Sequence, residues 1–178
     1  MLTHKNNSQL GKHLAGLADE LENCIAPAEV ALCIPPKCYT SEDHYAHEIN
    51  LIFRRKWIGI GHAGRFKEAG DYETMEIGGV PIIVLRDKQG TLRVYANSCR
   101  HRGARLLEGE GRCSGIRCPF HSWAYKLDGM LAGVPGIEEM PDFDRSQYGL
   151  IEFRAAEMAG LGFVCLDNNA PSAKTQLG

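Results

Sequence analysis

The chain has 178 residues, of which 44% are hydrophobic, and this is enough to bury one ordinary core. A formal net charge of −2 excludes a nucleic-acid-binding surface spread over the whole chain. No apolar stretch approaches the roughly 18 residues that a membrane span needs, and the first residues contain no apolar run typical of a secretory signal. We therefore expect a cytoplasmic protein that binds neither nucleic acid nor membranes.

Two short helices are predicted in the N-terminal part of the chain. The first is amphipathic and ends before Pro27, because four leucines recur at helical spacing: Leu10, Leu14, Leu17 and Leu21. The second follows a Pro-Pro pair and begins with Thr40 or Ser41 as its N-cap. Its predicted buried stripe consists of Tyr45, Ile49, Ile52 and Phe53. Residues 1–56 are thus expected to form an N-terminal helical arm.

From Trp57 onward, apolar and polar residues alternate in short runs that are typical of β-strands. Glycine-containing turns separate these runs, at Gly78-Gly79, Lys88-Gln89-Gly90 and Asp128-Gly129. The fold class predicted for residues 57–168 is mainly β, an antiparallel β-sandwich or barrel with two loops projecting at one end. Residues 169–178 are predicted to begin a linker.

Two pairs of metal-ligand residues lie in the middle of this β region. Cys99 and His101 belong to CRHRG, Cys118 and His121 belong to CPFH, and 16 residues separate the two pairs. A glycine follows the first pair and a proline lies inside the second, so each pair fits the tip of a tight β-loop. Two thiols and two imidazoles at this spacing are expected to hold a metal centre from two sides.

The pattern C-x-H, a gap in the high teens, then C-x-x-H resembles the ligand signature of the Rieske proteins. The resemblance implies a [2Fe-2S] cluster with Cys99 and Cys118 on one iron and His101 and His121 on the other. Because neutral imidazoles replace two anionic thiolates, the reduction potential should rise from about −400 mV toward roughly −150 mV or above. The electron should leave through His101 or His121, at the exposed end of the cluster.

Residues beside the ligands separate the kinds of Rieske protein. Respiratory-type domains carry two further cysteines, joined as a disulfide, at the positions of Ala104 and Phe120, and a serine at the position of Trp123. The resemblance therefore implies the low-potential branch of the family. Tyr125 matches a family tyrosine whose hydroxyl group can hydrogen-bond the sulfur of Cys99.

Further residues are expected to surround the cluster. Gly103 follows the first ligand pair, and Pro135 lies where the family has a third loop that shields the cluster from water. Arg102 belongs, with Arg100 and Arg105, to a basic flank of the first loop. These arginines are either solvated or positioned to bind carboxylates of a partner or neighbouring subunit.

A wider stretch, from about Pro35 to Asp167, resembles the α subunit of Rieske ring-hydroxylating and N-demethylating oxygenases, as in CPFHSWAYKLDGMLAGVP. The resemblance implies a reductase or ferredoxin as electron donor. It also implies a mononuclear Fe(II) site, held by two histidines and a carboxylate, in a catalytic domain of the same or an adjacent subunit of a homotrimer. That site is absent from this chain. We therefore expect a fragment of a longer dioxygenase or monooxygenase, which by itself only transfers electrons.

Two other functions remain open at this point. One is a stand-alone Rieske ferredoxin that docks on a separate oxygenase, and the other is a structural zinc-binding interaction module. The run from Gly59 to Gly64 also satisfies GxGxxG. Because a strand rather than an apolar helix follows it, no dinucleotide site is expected there.

Overall fold

The structure is a computed structural model that describes Leu17 and residues 20–22, 24–136 and 142–178. The described residues fall into two compact units, which divide between Ile52 and Phe53. In these parts of the chain, no helix combines the length and the apolar character that crossing a membrane would require.

The N-terminal unit contains helix α1, Lys37–Thr40, and helix α2, Glu42–Glu48, and a π-helical turn, Ile49–Phe53, follows in sequence. The N-cap of α2 is Ser41, as predicted, and its hydroxyl group accepts a hydrogen bond from His44 N at 3.2 Å. Most of the first predicted helix, residues 10–24, lies outside the described residues.

The predicted buried stripe of the second helix is wrong. Tyr45 is 59% exposed and Ile52 is 45% exposed. The π-helical turn gives the physical reason, because it is wider than an α-helix. Phe53, by contrast, is partly buried and packs against a hydrophobic core of the second unit.

Within residues 53–136 and 142–178, the second unit contains ten strands, three short helical segments and connecting loops. The strands are β1 Ile58–His62, β2 Asp71–Ile77, β3 Val80–Arg86, β4 Leu92–Ala96, β5 Glu110–Arg112, β6 Ile116–Arg117, β7 Ala124–Tyr125, β8 Leu131–Gly133, β9 Glu152–Met158 and β10 Leu161–Cys165. The helical segments are the 3-10 helices Ala63–Arg65 and Arg145–Tyr148 and the α-helix α3, Ala173–Leu177.

These strands form two antiparallel sheets, which confirms the predicted mainly β fold class. The larger sheet has the order β1-β10-β9-β4-β3-β2-β5, and the smaller has the order β6-β7-β8. Strands β2 and β3 meet at Gly78-Gly79, where both residues have positive φ, of 57° and 75°. This conformation suits a tight hairpin and explains the glycine pair.

Strand β3 is buried on both faces because its side chains alternate between two hydrophobic cores. Ile82 and Val84 belong to the core on one side of the large sheet. Ile83 and Leu85 belong to a second core, which continues into the small sheet and includes most of the residues around the predicted metal centre. Residues 169–178 contain helix α3, whose Ala173 is buried beside Trp57 and Cys165.

A buried carboxylate organises the turn between β3 and β4. Asp87 is fully buried, and its Oδ1 accepts hydrogen bonds from Gln89 N at 2.9 Å and Thr91 N at 2.8 Å. Its Oδ2 accepts from Arg93 Nε at 2.8 Å. Burial by itself would raise the pKa of Asp87, but these hydrogen bonds outweigh it and hold the pKa below its usual range.

Replacing Asp87 by asparagine is expected to cost about 2 kcal/mol of unfolding free energy, because an amide NH₂ group would then face the Arg93 donor. The lowered pKa also gives the stability of the wild type a pH dependence. Its contribution is present above the unfolded pKa, near 3.9, and is lost as pH falls through the lower folded pKa. Urea unfolding at a series of pH values checks this. Below neutral pH, the unfolding free energy should change less steeply with pH in Asp87→Asn than in the wild type. If the two plots of unfolding free energy against pH run parallel, the assignment is contradicted.

Candidate metal centre

The first ligand loop follows β4, and a buried asparagine holds its ends together. Asn97 Oδ1 accepts hydrogen bonds from Leu106 N at 2.9 Å and Leu107 N at 3.1 Å, and its Nδ2 donates to Leu107 O at 2.8 Å. Sequence reasoning missed this residue, because a single asparagine in a loop carries no distinctive pattern. Asn97 therefore sets the shape of the loop that contains Cys99 and His101.

Within this loop the backbone turns tightly around the first cysteine. Cys99 O accepts a hydrogen bond from Gly103 N at 2.9 Å, and Cys99 N donates to Ala104 O at 2.8 Å. Gly103 has φ of 73°, a conformation that glycine adopts without strain. Gly103 is thus needed to close the turn that carries Cys99 and His101.

The second ligand loop connects β6 and β7 and has the same kind of tight turn. Cys118 N donates to Trp123 O at 2.8 Å, and Cys118 O accepts from Ser122 N at 3.0 Å. Ser122 has φ of 58°, an uncommon left-handed conformation for a residue with a side chain. Phe120 lies at the loop tip and is 71% exposed.

The two loops bring the four predicted ligands to one end of the small sheet. Cys99 and Cys118 are 3% and 2% exposed and belong to the same hydrophobic core. The imidazole rings of His101 and His121 lie with their centroids 4.8 Å apart at an angle of 80°, and His121 is exposed. Both sulfur atoms are therefore buried, whereas the His101 ring is half-buried and the His121 ring is exposed.

The state of His101 fits a metal ligand. Its Nδ1 atom is buried and lacks a hydrogen-bond partner within the described part of the chain, an arrangement that normally costs free energy. Burial of the ring, then the positive charge of Arg102, then His121, lower the pKa of His101. A neutral imidazole has a lone pair free for a metal, so the donor set suits iron.

Within the described ranges, no group of three or more His, Cys, Asp or Glu side chains forms a binding site for a single metal ion. A [2Fe-2S] cluster does not require such a group, because each iron takes two protein ligands and completes its coordination with sulfide.

Tyr125 contacts the first cysteine directly, as predicted from its position. Its hydroxyl oxygen lies 3.2 Å from Cys99 Sγ and accepts a hydrogen bond from Arg100 N at 3.0 Å. Burial, then the hydrogen bond with Cys99, raise the pKa of Tyr125 far above its usual range. The phenol therefore keeps its proton, and with Arg100 N already donating to the oxygen, that proton is available to the sulfur.

Trp123 supports the exposed half of the centre. Its ring stacks on the imidazole of His101, with centroids 5.0 Å apart and planes 9° from parallel. The edges of Phe143 and Tyr148 pack against Trp123, with centroid distances of 5.9 Å and 5.7 Å. Sequence reasoning assigned no role to Phe143 and Tyr148, which follow His121 by 22 and 27 residues and lie outside the ligand motifs.

An open cavity of about 700 Å³ borders the two imidazoles. Pro135 and Arg100 line this cavity together with His101 and His121. Pro135 is itself exposed, and its role in shielding the cluster from water stays a prediction. Arg102 is exposed as well, and its influence on the centre is the electrostatic one already described for His101.

Comparison with known proteins identifies relatives of this chain. The oxygenase subunit of carnitine monooxygenase from Escherichia coli (strain K12) is 40% identical over 157 residues, which cover 88% of this chain and 42% of that protein. The α subunit of chlorobenzene dioxygenase from Cupriavidus sp. (strain PS12) is 38% identical over 145 residues, which cover 80% of this chain and 32% of that protein. The chain thus spans less than half the length of these relatives.

Solved structures share the fold. One of them is the structure of a quaternary ammonium Rieske monooxygenase, for which inter-subunit electron transfer is described. It superposes on this chain with a TM-score of 0.75 at 35% identity, and the match covers 80% of this chain and 40% of that one. The family model of the Rieske [2Fe-2S] domain matches residues 56–144, a range that contains both ligand loops. The resemblance seen in the sequence is thereby confirmed, and the chain belongs to the Rieske [2Fe-2S] domain family.

Proposed function

We propose that this chain is the electron-transfer domain of a Rieske non-haem iron oxygenase α subunit. Cys99 and Cys118 would hold one iron of the [2Fe-2S] cluster, and His101 and His121 would hold the other. The observation that carries this proposal is the division of the site, in which both thiols are buried and the paired imidazoles reach the surface. When bound, the cluster supplies a one-electron couple.

The protein side chains have separate tasks in this proposal. Tyr125 donates a hydrogen bond toward Cys99 Sγ, which stabilises negative charge on the sulfur side. Trp123 fixes the ring plane of His101 by stacking. Because the imidazoles border an open cavity, an electron acceptor can approach this end of the domain without displacing the buried core. His101 and His121 are thus the proposed electron exit.

The two relatives described above support an oxygenase rather than a stand-alone ferredoxin. Both are oxygenase subunits that extend well beyond the region matched by this chain. We propose a mononuclear Fe(II) site in a catalytic domain outside these 178 residues as the electron acceptor. The inter-subunit electron transfer described for the quaternary ammonium monooxygenase supports placing that domain in the same or an adjacent subunit. Assembly as a homotrimer stays a prediction. A reductase or ferredoxin is the proposed donor, and a cytoplasmic location stays a prediction.

Spectroscopy and analysis of reconstituted protein test the cluster. We expect iron and inorganic sulfide in equal amounts, visible absorption, and a low-temperature EPR signal only after reduction. A colourless, EPR-silent protein containing zinc would instead support the structural zinc module. Sequencing the coding region downstream of codon 178 tests the oxygenase assignment: a reading frame with two histidines and a carboxylate supports it, and an immediate stop codon supports a stand-alone ferredoxin.

Replacing Tyr125 by phenylalanine is expected to lower the midpoint potential by tens of millivolts. The substitution removes a hydrogen bond to a cluster sulfur, and such hydrogen bonds raise the potential. Potentiometric titration with EPR detection measures the shift. Tyr95 provides a matched control, because its buried hydroxyl donates to Leu127 O and not to a ligand. Tyr95→Phe should leave the potential unchanged, and equal shifts in both variants would contradict the role of Tyr125.

A further inference from the structure

A second cavity, the basic cleft, borders strands β6 and β7 of the small sheet. It has a volume of about 350 Å³ and is formed by the turn after β3, by β6 and β7, and by the residues that follow β7. Its basic side chains are Lys88, Arg117 and Lys126, and all three are exposed.

The lining of the basic cleft contains three basic side chains and one carboxylate, that of Asp128. Lys88, Arg117 and Lys126 form no side-chain hydrogen bond or ion pair with any residue that the structure describes. The acidic residue in the lining, Asp128, accepts a hydrogen bond from Met130 N at 3.0 Å. A concentration of three cations in a chain with a net charge of −2 makes this cleft a local site for an acidic partner.

The wall of the basic cleft is also close to the cysteine side of the centre. In the β6–β7 ladder, Arg117 pairs with Ala124 and Ile116 pairs with Tyr125. Arg117 precedes Cys118 directly, and Tyr125, which is part of the wall, contacts Cys99 Sγ through its hydroxyl group at 3.2 Å. A single residue therefore joins the cleft to the sulfur of a proposed ligand.

The basic cleft is separate from the cavity that borders His101 and His121. The residues that line the two cavities are different, with none in common.

We propose that an acidic electron-donor protein docks on the basic cleft, so that electrons reach the cysteine side of the cluster and leave from the histidine side. This inference rests on the proposed electron-transfer function. One electron leaves the reduced centre of the donor and reduces the cluster, and no bond is made or broken. Transient redox complexes bury little area and depend on charge complementarity, which fits an open, basic surface.

Binding of an acidic plant-type [2Fe-2S] ferredoxin, kept oxidised, provides the test. Calorimetric titration of the 178-residue chain at low ionic strength gives the Kd without any electron transfer. The double variant Lys88→Glu/Lys126→Glu should bind about tenfold more weakly, and the wild-type affinity should fall between about 20 and 150 mM salt.

The matched control is Lys56→Glu/Lys174→Glu, which changes the net charge equally. Lys56 precedes β1 at an edge of the large sheet, and Lys174 is in α3, so neither belongs to the cleft. Its Kd should stay within about twofold of the wild type. Equal affinities of the two double variants would overturn the inference, and so would an equally tight, cleft-dependent complex with a single-stranded oligonucleotide. A reduced protein without the expected EPR signal would overturn the proposed function instead.

Discussion

Replacing Cys118 by alanine is expected to abolish cluster binding, so that the reconstituted variant contains neither iron nor inorganic sulfide. Alanine offers no donor atom, and Cys99 alone cannot complete the protein ligands of its iron. The unfolding free energy of the variant should stay within about 1 kcal/mol of that of the metal-free wild type, because only one small buried group is lost. Iron and sulfide assays, visible absorption and urea unfolding measure these quantities.

Cys113 is the control for this substitution. It packs against the same hydrophobic core as Cys118 but lies outside both ligand motifs. Burial raises the pKa of the Cys113 thiol, so the group stays protonated and unreactive. Cys113→Ala should therefore bind a full complement of iron. Loss of iron from this variant, or retention of iron by Cys118→Ala, would refute the assignment of the ligands.

Replacing Gly70 by alanine should cost about 3 to 5 kcal/mol of unfolding free energy. Gly70 has φ of 89°, and a Cβ atom there would lie 1.9 Å from the carbonyl oxygen of Cys113. Gly70 N also donates to Arg86 O at 2.8 Å, and Gly70 O accepts from Cys113 N at 3.0 Å. The residue thus connects the end of β3 to the segment before β6, and neither backbone can move away easily.

A substitution at Gly90 serves as the control, because it distinguishes backbone strain from the steric clash, the two causes of the loss expected at Gly70. Gly90 has a similar φ of 79°, but a Cβ atom there would meet no heavy atom within 4 Å. Gly90→Ala should cost only the conformational strain, about 1 to 2 kcal/mol. Urea unfolding followed by circular dichroism measures both variants. The difference between them gives the cost of the steric contact at Gly70, and equal losses would show that this contact is relieved.

Much of the fold could be predicted from the sequence, because strands with regular alternation and glycine turns carry a local signal. Strands β2 and β3 lie on either side of the predicted Gly78-Gly79 turn, and the turn at Asp128-Gly129 is where the pattern placed it. Strand β5 was missed, since its three residues are all exposed and none is hydrophobic. It is held by pairing with β2, including the ion pair between Arg112 Nε and Asp71 Oδ1 at 2.7 Å. Such long-range pairing leaves no trace in a short run of residues.

The ligand motifs predicted which residues would meet, but not what holds them in place. The spacing of Cys99, His101, Cys118 and His121 was enough to place them on two loops. The left-handed conformation of Ser122 follows from the closure of the second loop, and it could not be predicted from the identity of the residue. Phe143 and Tyr148 reach Trp123 only through tertiary packing.

The hydrogen bonds of Asn97 have a consequence for cofactor assembly. They hold the ends of the first loop through backbone groups of Leu106 and Leu107, and none of them uses a ligand side chain. A preorganised loop loses little conformational entropy when it receives its cofactor. Maturation of the protein can therefore proceed by insertion of a ready-made cluster into a folded apoprotein, without a folding step coupled to metal delivery.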